Sequence, residues 1–217
     1  LSVAALALLL RLPEPPRATL PPRHPWLEIQ DGARLVWQHP LLRPILLTAV
    51  AWNLSWFVLQ AAYVPYAMRS LGLGAGGVGF TLAAYGAGMV IGALAAPRLL
   101  AALPFGRVVV VGPAVSVAAM ATMVATLAWP SGVLAGASFF LFGVGPILWT
   151  ISSTTLRQTV TPQAVLGRVS ALFLTVNMGA RPLGAALGGL VGDTWGAPAC
   201  LVLALAGFGV QAAVIMA

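Results

Sequence analysis

The sequence predicts an all-α, polytopic membrane protein whose main body is a bundle of six transmembrane helices. Three observations carry that prediction. Hydrophobic residues make up 60% of the 217 residues and charged residues only 7%, against roughly 25% charged in a soluble globular domain. That much apolar surface is more than one soluble domain of this size buries. Six long apolar stretches, at about 43–66, 78–98, 108–129, 132–155, 168–192 and 197–217, each approach the ~20 helical residues that cross ~30 Å of hydrocarbon. The breaks between them, at 69–77, 104–107, 129–132, 157–168 and 193–196, carry Gly, Pro and Arg.

The segments before the first span are of a different kind. Residues 1–10 (LSVAALALLL) are apolar but too short to span. They lack the basic start and cleavage site of a signal peptide, and read as the end of a truncated transmembrane helix. Residues 11–42 read as a Pro/Arg-rich linker. Six prolines between 11 and 25 exclude a helix there. Residues 26–38 fit two descriptions equally. One is a short amphipathic helix on the membrane surface, with Leu27, Ala33, Val36 and Trp37 on one side and Glu28, Asp31 and Arg34 on the other. The other is a partly ordered linker. Residues 43–217 form the six-helix bundle. Inside the spans, Pro65, Pro113, Pro146 and Pro182 kink rather than end the helices, as membrane helices tolerate.

The basic residues set the orientation. All 11 are arginines, giving a net charge of +7 against 4 acids. Nine of them (Arg11, Arg17, Arg23, Arg34, Arg43, Arg98, Arg107, Arg157 and Arg168) fall on the linker side of the spans, and Arg69 alone falls on the other. Positive charge marks the cytoplasmic side, so the linker and the C-terminus are expected in the cytoplasm of a cell bounded by this membrane. The arginines form no dense patch that would follow phosphates, which excludes a nucleic-acid binder. The one cysteine, Cys200, excludes a disulfide framework and a Cys-based zinc site.

Arg181 is the most informative residue. It lies 13 positions after Arg168 and 12 before Asp193, which places it near mid-bilayer at 1.5 Å per residue. A central Arg costs about 2.5–3.5 kcal/mol. The nine Leu, Val and Phe residues between 169 and 191 return about 3–5 kcal/mol. This span must therefore present Arg181 to protein or water. Two readings stand: a site for an anionic substrate group or a coupling carboxylate, and a structural Arg held by carbonyls or an acid. Ser170, Asn177, Arg181, Gly184 and Gly188 share one narrow arc at 100° per residue. Gly184, Gly188 and Gly192 are spaced for close helix approach, as are Gly88 and Gly92.

The first span carries a second polar face of Trp52, Asn53, Trp56, Gln60 and Tyr63 within ~100° of arc. Buried amides need partners or water. A face of rings and amides suits the pathway of an amphipathic solute, or an interface belt with one interhelical hydrogen bond. The fourth span turns polar at its inner end, with Trp149, Thr150, Ser153, Thr154 and Arg157 at 3–4 spacing. Hydroxyls there can equally bond back to their own helix.

No catalytic set, metal cluster or cofactor motif is expected. There is no Walker motif and no HExxH, and His24 and His39 lie outside the spans. Asp193 is the one acid after Asp31, so a paired-carboxylate protease is excluded. It is also a poor proton carrier at an outer helix end. The chain does not read as an enzyme.

Four passages bear a family resemblance. GARLVWQHPLLRPILLTA (32–49) resembles the linker-to-helix-seven entry of the exporter branch of the major facilitator superfamily that includes enterobactin and macrolide exporters. Residues 92–107 (GALAAPRLLAALPFGR) resemble the Gly-rich, Arg-flanked signature of the loop between helices eight and nine, with Ala and Pro where the signature carries an Asp. TPQAVLGRVSAL (161–172) resembles the loop between helices ten and eleven through Pro162, Gly167 and Arg168. GARPLGAALGGLVGD (179–193) resembles the helix-eleven pattern.

The resemblance implies the C-terminal half of a twelve-helix transporter whose two bundles rock about a central cavity. Helices seven, eight, ten and eleven would line it, with nine and twelve toward lipid. The polar faces read above then give an expected substrate pathway of Trp52, Asn53, Trp56, Gln60, Tyr63, Asn177 and Arg181. Arg98, Arg107, Arg157, Gly167 and Arg168 would be cytoplasmic loop or gating residues. Gly88, Gly92, Pro182, Gly184 and Gly188 would be helix-packing positions. The expected function is secondary active efflux of a small amphipathic molecule, such as a drug or siderophore, by proton antiport in the bacterial inner (cytoplasmic) membrane. Its partners would be the lipid bilayer, a small-molecule substrate and the missing N-terminal six-helix half, with no nucleic acid. The alternative is a six-span membrane subunit of a multi-component transporter, or a scaffold without transport activity.

Overall fold

The computed structural model describes residues 25–217. The expectations for residues 1–24 lie outside them, as do the side chains of Leu27 and Glu28. Among the described residues there is no strand. The helices are α1 (Pro25–Gln38), α2 (Leu42–Arg69), α3 (Ala75–Ala102), α4 (Phe105–Ala125), α5 (Gly132–Val160) and α6 (Gln163–Met216). α6 is two spans in one. Gly196 has φ 81° and ψ 170°, a conformation open to glycine and strained for other residues, and it divides α6 into limbs over 163–195 and 197–216. The six apolar stretches thus become six long helical segments. A helix satisfies its own backbone polar groups, which hydrocarbon leaves no other way to do.

Several boundaries differ from the hydropathy pattern. α5 continues through Arg157 to Val160, and α6 begins at Gln163. The expected 157–168 break shrinks to Thr161 and Pro162. α3 likewise runs through Pro97 and Arg98 to Ala102, leaving Leu103 and Pro104 as the link to α4. Pro104 and Pro162 both sit at N-caps with extended backbone, since proline cannot continue a helix but starts one readily. The residues expected in loops, Arg98, Arg107, Arg157, Gly167 and Arg168, are therefore all helical, placed near helix ends. Conversely, α4 stops at Ala125, short of the expected 129. Thr126 turns its hydroxyl back to the Met123 carbonyl at 2.5 Å, and Leu127 and Ala128 take tighter turn bonds.

α2 packs along α6, and α3 and α4 pack along α5. Small residues permit it. A Cβ on Gly88 would run into the Phe140 carbonyl oxygen, and one on Gly92 would lie 2.6 Å from Ile147 Cγ2. One on Gly184 would lie 2.5 Å from the Leu54 carbonyl oxygen, and one on Gly188 2.9 Å from Val58 Cα. The reciprocal glycines Gly112, Gly143 and Gly145 are equally tight. Pro182, expected at a packing position, is exposed. Gly192 leaves this face and meets Cys200 of the second limb.

Two cores result. The outer half of the bundle is filled by rings: Trp56 stands edge-on to Phe139 and Phe142 at 6.0 and 5.0 Å, and Phe142 meets Phe208 at 5.1 Å. The smaller inner core joins Val36 of α1 to Leu42, Ile45 and Leu46 of α2 and to Val169 and Phe173 of α6. α1 is thus a helix docked on the bundle. Among its described side chains, from Gln30 on, Gly32 and Val36 are the buried positions. Trp37 is 56% exposed, with the Arg43 guanidinium 4.7 Å over its ring.

Candidate functional site

The inner half of the bundle does not close. α2, α3, α4, α5 and both limbs of α6 surround a cavity of about 370 Å³, within the range of small-molecule sites. Its lining comes from Ile45 to Asn53 on α2, Tyr85 and Met89 on α3, Gly143 to Arg157 on α5, and Ser170 to Arg181 on α6. The aromatic layer forms its outer wall. Trp52 stacks on Trp56 at 5.3 Å with 13° between planes, and Trp56 meets Tyr85 at 5.3 Å.

A polar chain crosses that wall between α2 and α6. Asn53 donates from Nδ2 to the Ala49 carbonyl at 2.9 Å and to Asn177 Oδ1 at 3.4 Å. Its Oδ1 accepts from Arg181 Nε at 3.1 Å. The Phe57 ring lies 5.6 Å from the Arg181 guanidinium carbon. With both Nδ2 hydrogens on acceptors, Asn53 has one orientation, and that orientation presents its carbonyl to the charge. Both helices approach closely because Gly184, one turn from Arg181, sits against Leu54.

The residues expected to form a pathway divide in two. Trp52, Asn53, Asn177 and Arg181 line the cavity together. Trp56, Gln60 and Tyr63 do not. Trp56 is buried in the aromatic layer. Tyr63 is fully buried farther out, with its hydroxyl bonded to that of Thr81 and its ring 4.5 Å from Phe139. Gln60 is half-buried outside the lining. All five α2 residues share one face, but the cavity occupies only its inner end.

The polar end of α5 does reach the cavity. Trp149, Thr150, Ser153, Thr154 and Arg157 all line it, while Thr150 and Ser153 also return hydrogen bonds to their own helix. Arg157 is half-buried under Phe173, 4.9 Å from its ring, and its Nε has no hydrogen-bond partner. Of the other end residues, Arg98, Arg107 and Gly167 are exposed, and Arg168 packs beside Gly32 of α1.

The expectation that the third and sixth spans face away from the cavity needs correction. Gly112 and Ser116 of α4 and Gln211 of the second α6 limb all contribute lining. Gln211 is 1% exposed and its Oε1 has no partner. The sequence signal was a lone amide in an otherwise apolar span. Tyr85, likewise not anticipated, is the one phenol in an Ala- and Gly-rich helix. Among the described residues no group of three or more potential metal ligands comes together.

The sequence profile described as Major Facilitator Superfamily matches residues 1–185. No curated protein sequence matches the chain.

Proposed function

This chain belongs to the Major Facilitator Superfamily, whose members are secondary membrane transporters, and on that premise we propose that it exports a small amphipathic molecule by proton antiport. Family membership and the long apolar helices make it a multi-pass membrane protein. The observation that supports a solute pathway is the Asn177–Asn53–Arg181 chain. In it a half-buried charged group lies on the wall of a ring-lined cavity with one hydrogen-bond partner among the described residues, whereas a structural arginine would be sealed among several.

In this reading the arginine-rich inner end faces the cytoplasm, and a preceding six-helix bundle completes the cavity around a substrate near the midplane. The spans from α2 to α6 hold no acid except Asp193 at an outer helix end. The proton carrier is accordingly assigned to that preceding bundle. Exporters of the branch it resembles suggest a drug or siderophore as substrate.

The test is substrate accumulation in everted vesicles carrying the full-length protein, in the bacterial cytoplasmic membrane. Uptake that collapses when the pH gradient is dissipated, and that Arg181→Ala abolishes at unchanged expression, is the expected result. Efflux untouched by Arg181→Ala removes the role assigned to that residue. Uptake indifferent to the pH gradient removes proton coupling.

A further inference from the structure

The cavity holds positive charge that nothing within it balances. Arg157 and Arg181 both line it, and its lining includes no Asp or Glu. From Gly32 to the end of the chain the one acid is Asp193. Asp193 is exposed beside the Gly196 break, at the opposite end of the bundle from Arg157.

Neither guanidinium is saturated by its surroundings. Arg157 Nε is buried without a partner. Arg181 makes one hydrogen bond among the described residues, from Nε to Asn53. The rings of Phe173 and Phe57 cover guanidinium faces, which leaves the in-plane N–H donors available. Trp52 and Trp149 add two buried indole N–H groups that also lack partners. Against these stands one unpartnered acceptor in the lining, Gln211 Oε1, so the cavity keeps an excess of donors and of positive charge, set among rings. The two guanidiniums in the lining are what an acceptor-rich anion would pair with.

We infer that the cavity takes an anionic amphiphile: a small molecule with a carboxylate, sulfonate or phosphate on an apolar, ring-bearing body. This inference rests on the transporter reading and deepens it by naming the substrate class. The acidic group accepts from the guanidiniums, and the body lies against Trp52, Tyr85 and Phe173. A cation of the same shape meets two like charges, and a neutral analogue leaves the guanidiniums unpaired, so both are rejected.

The test is calorimetric titration of the full-length protein in phosphatidylcholine nanodiscs with naphthalenesulfonate, naphthalenemethanol and naphthyltrimethylammonium. The sulfonate is expected to bind at least about tenfold more tightly than the other two. Arg157→Gln and Arg181→Gln each remove most of that preference, while Arg157→Lys and Arg181→Lys keep part of it. If a Gln variant fails to fold, the probe ranking in the unaltered protein and the Lys variants decide.

Equal or tighter binding of the ammonium probe, or no binding of the sulfonate, overturns the inference and leaves the transporter reading to its own vesicle assay. Sulfonate binding that needs both arginines but never leads to movement across proteoliposomes upholds the anion site and counts against transport. Loss of sulfonate binding in nanodiscs enriched in phosphatidylglycerol assigns the site to a lipid headgroup and overturns the solute class.

Discussion

Arg181 donates from Nε to Asn53 Oδ1 at 3.1 Å, so the charge near the middle of the first limb of α6 is held by an amide on α2, 128 residues earlier in the chain. The bond fixes where the guanidinium sits without neutralising it. A carboxylate at position 53 would do both.

That difference is testable. Asn53→Leu leaves Arg181 Nε and Asn177 without their partner. Hydrogen bonds to charged groups contribute about 1.5–3 kcal/mol, so Tm should fall and transport should drop by about tenfold or more. Asn53→Asp should keep or raise Tm while reducing transport as strongly, because the ion pair takes the charge offered to substrate. Melting curves beside vesicle transport separate the two. Retention of full transport in Asn53→Asp would sink the argument.

Helix approach sets the second expectation. Alanine at Gly143 would bring a Cβ within 2.6 Å of the Met89 backbone nitrogen. Gly143→Ala and Gly88→Ala should each destabilise the bundle by about 1–3 kcal/mol through overpacking of α3 on α5. Gly79 and Gly189 have open space around the same position. Alanine there should be neutral or stabilising by up to about 1 kcal/mol through helix propensity. Thermal melts in one detergent compare all four, and equal losses at all four would contradict the packing.

Tyr63 and Trp52 share a helix face but should behave differently. Tyr63→Phe removes the hydroxyl bonded to Thr81 and should cost about 0.5–1.5 kcal/mol of stability, with KM unchanged. Trp52→Ala removes a ring from the cavity wall and should raise KM several-fold. A KM shift in Tyr63→Phe would place the pathway farther out than the cavity described above.

Cys200 offers a probe of the limb junction. It is fully buried, and its thiol donates to the Gly188 carbonyl at 3.3 Å, tying the second limb of α6 to the first. A membrane-permeant maleimide should label it slowly in the native protein and rapidly after denaturation in detergent. Fast native labelling would mean that the two limbs separate. Gly196→Ala should accelerate labelling, because alanine is strained at the positive φ that joins the limbs.

Much of the fold was readable along the chain. Span number and the charge at each end depend on hydropathy and length, which are local quantities. Arg181 announced itself because one charge in an apolar run has no local remedy. Boundaries were less readable, since a helix ends where its caps and turns allow: α5 carries Arg157 inside its last turns, and α4 stops early on the Thr126 hydroxyl. The docking of Gly32 and Val36 of α1 on α6 was not readable, because it depends on Arg168, Val169 and Phe173 far along the chain.

The sequence by itself determined a helical membrane bundle with one arginine inside an apolar span, because the cost of placing polar groups in hydrocarbon acts residue by residue. Only the tertiary structure decided which polar residues share a space. Trp52 and Tyr63 lie on one stripe of one helix, yet the first lines the cavity and the second is core. The aromatic layer between them is assembled from α2, α3, α5 and α6 together. Tyr85 and Gln211 reach the same cavity from α3 and from the second limb of α6, neither of which shows a polar face in sequence. Depth along a helix and the approach of its neighbours set those outcomes, and both depend on contacts between segments far apart in the chain.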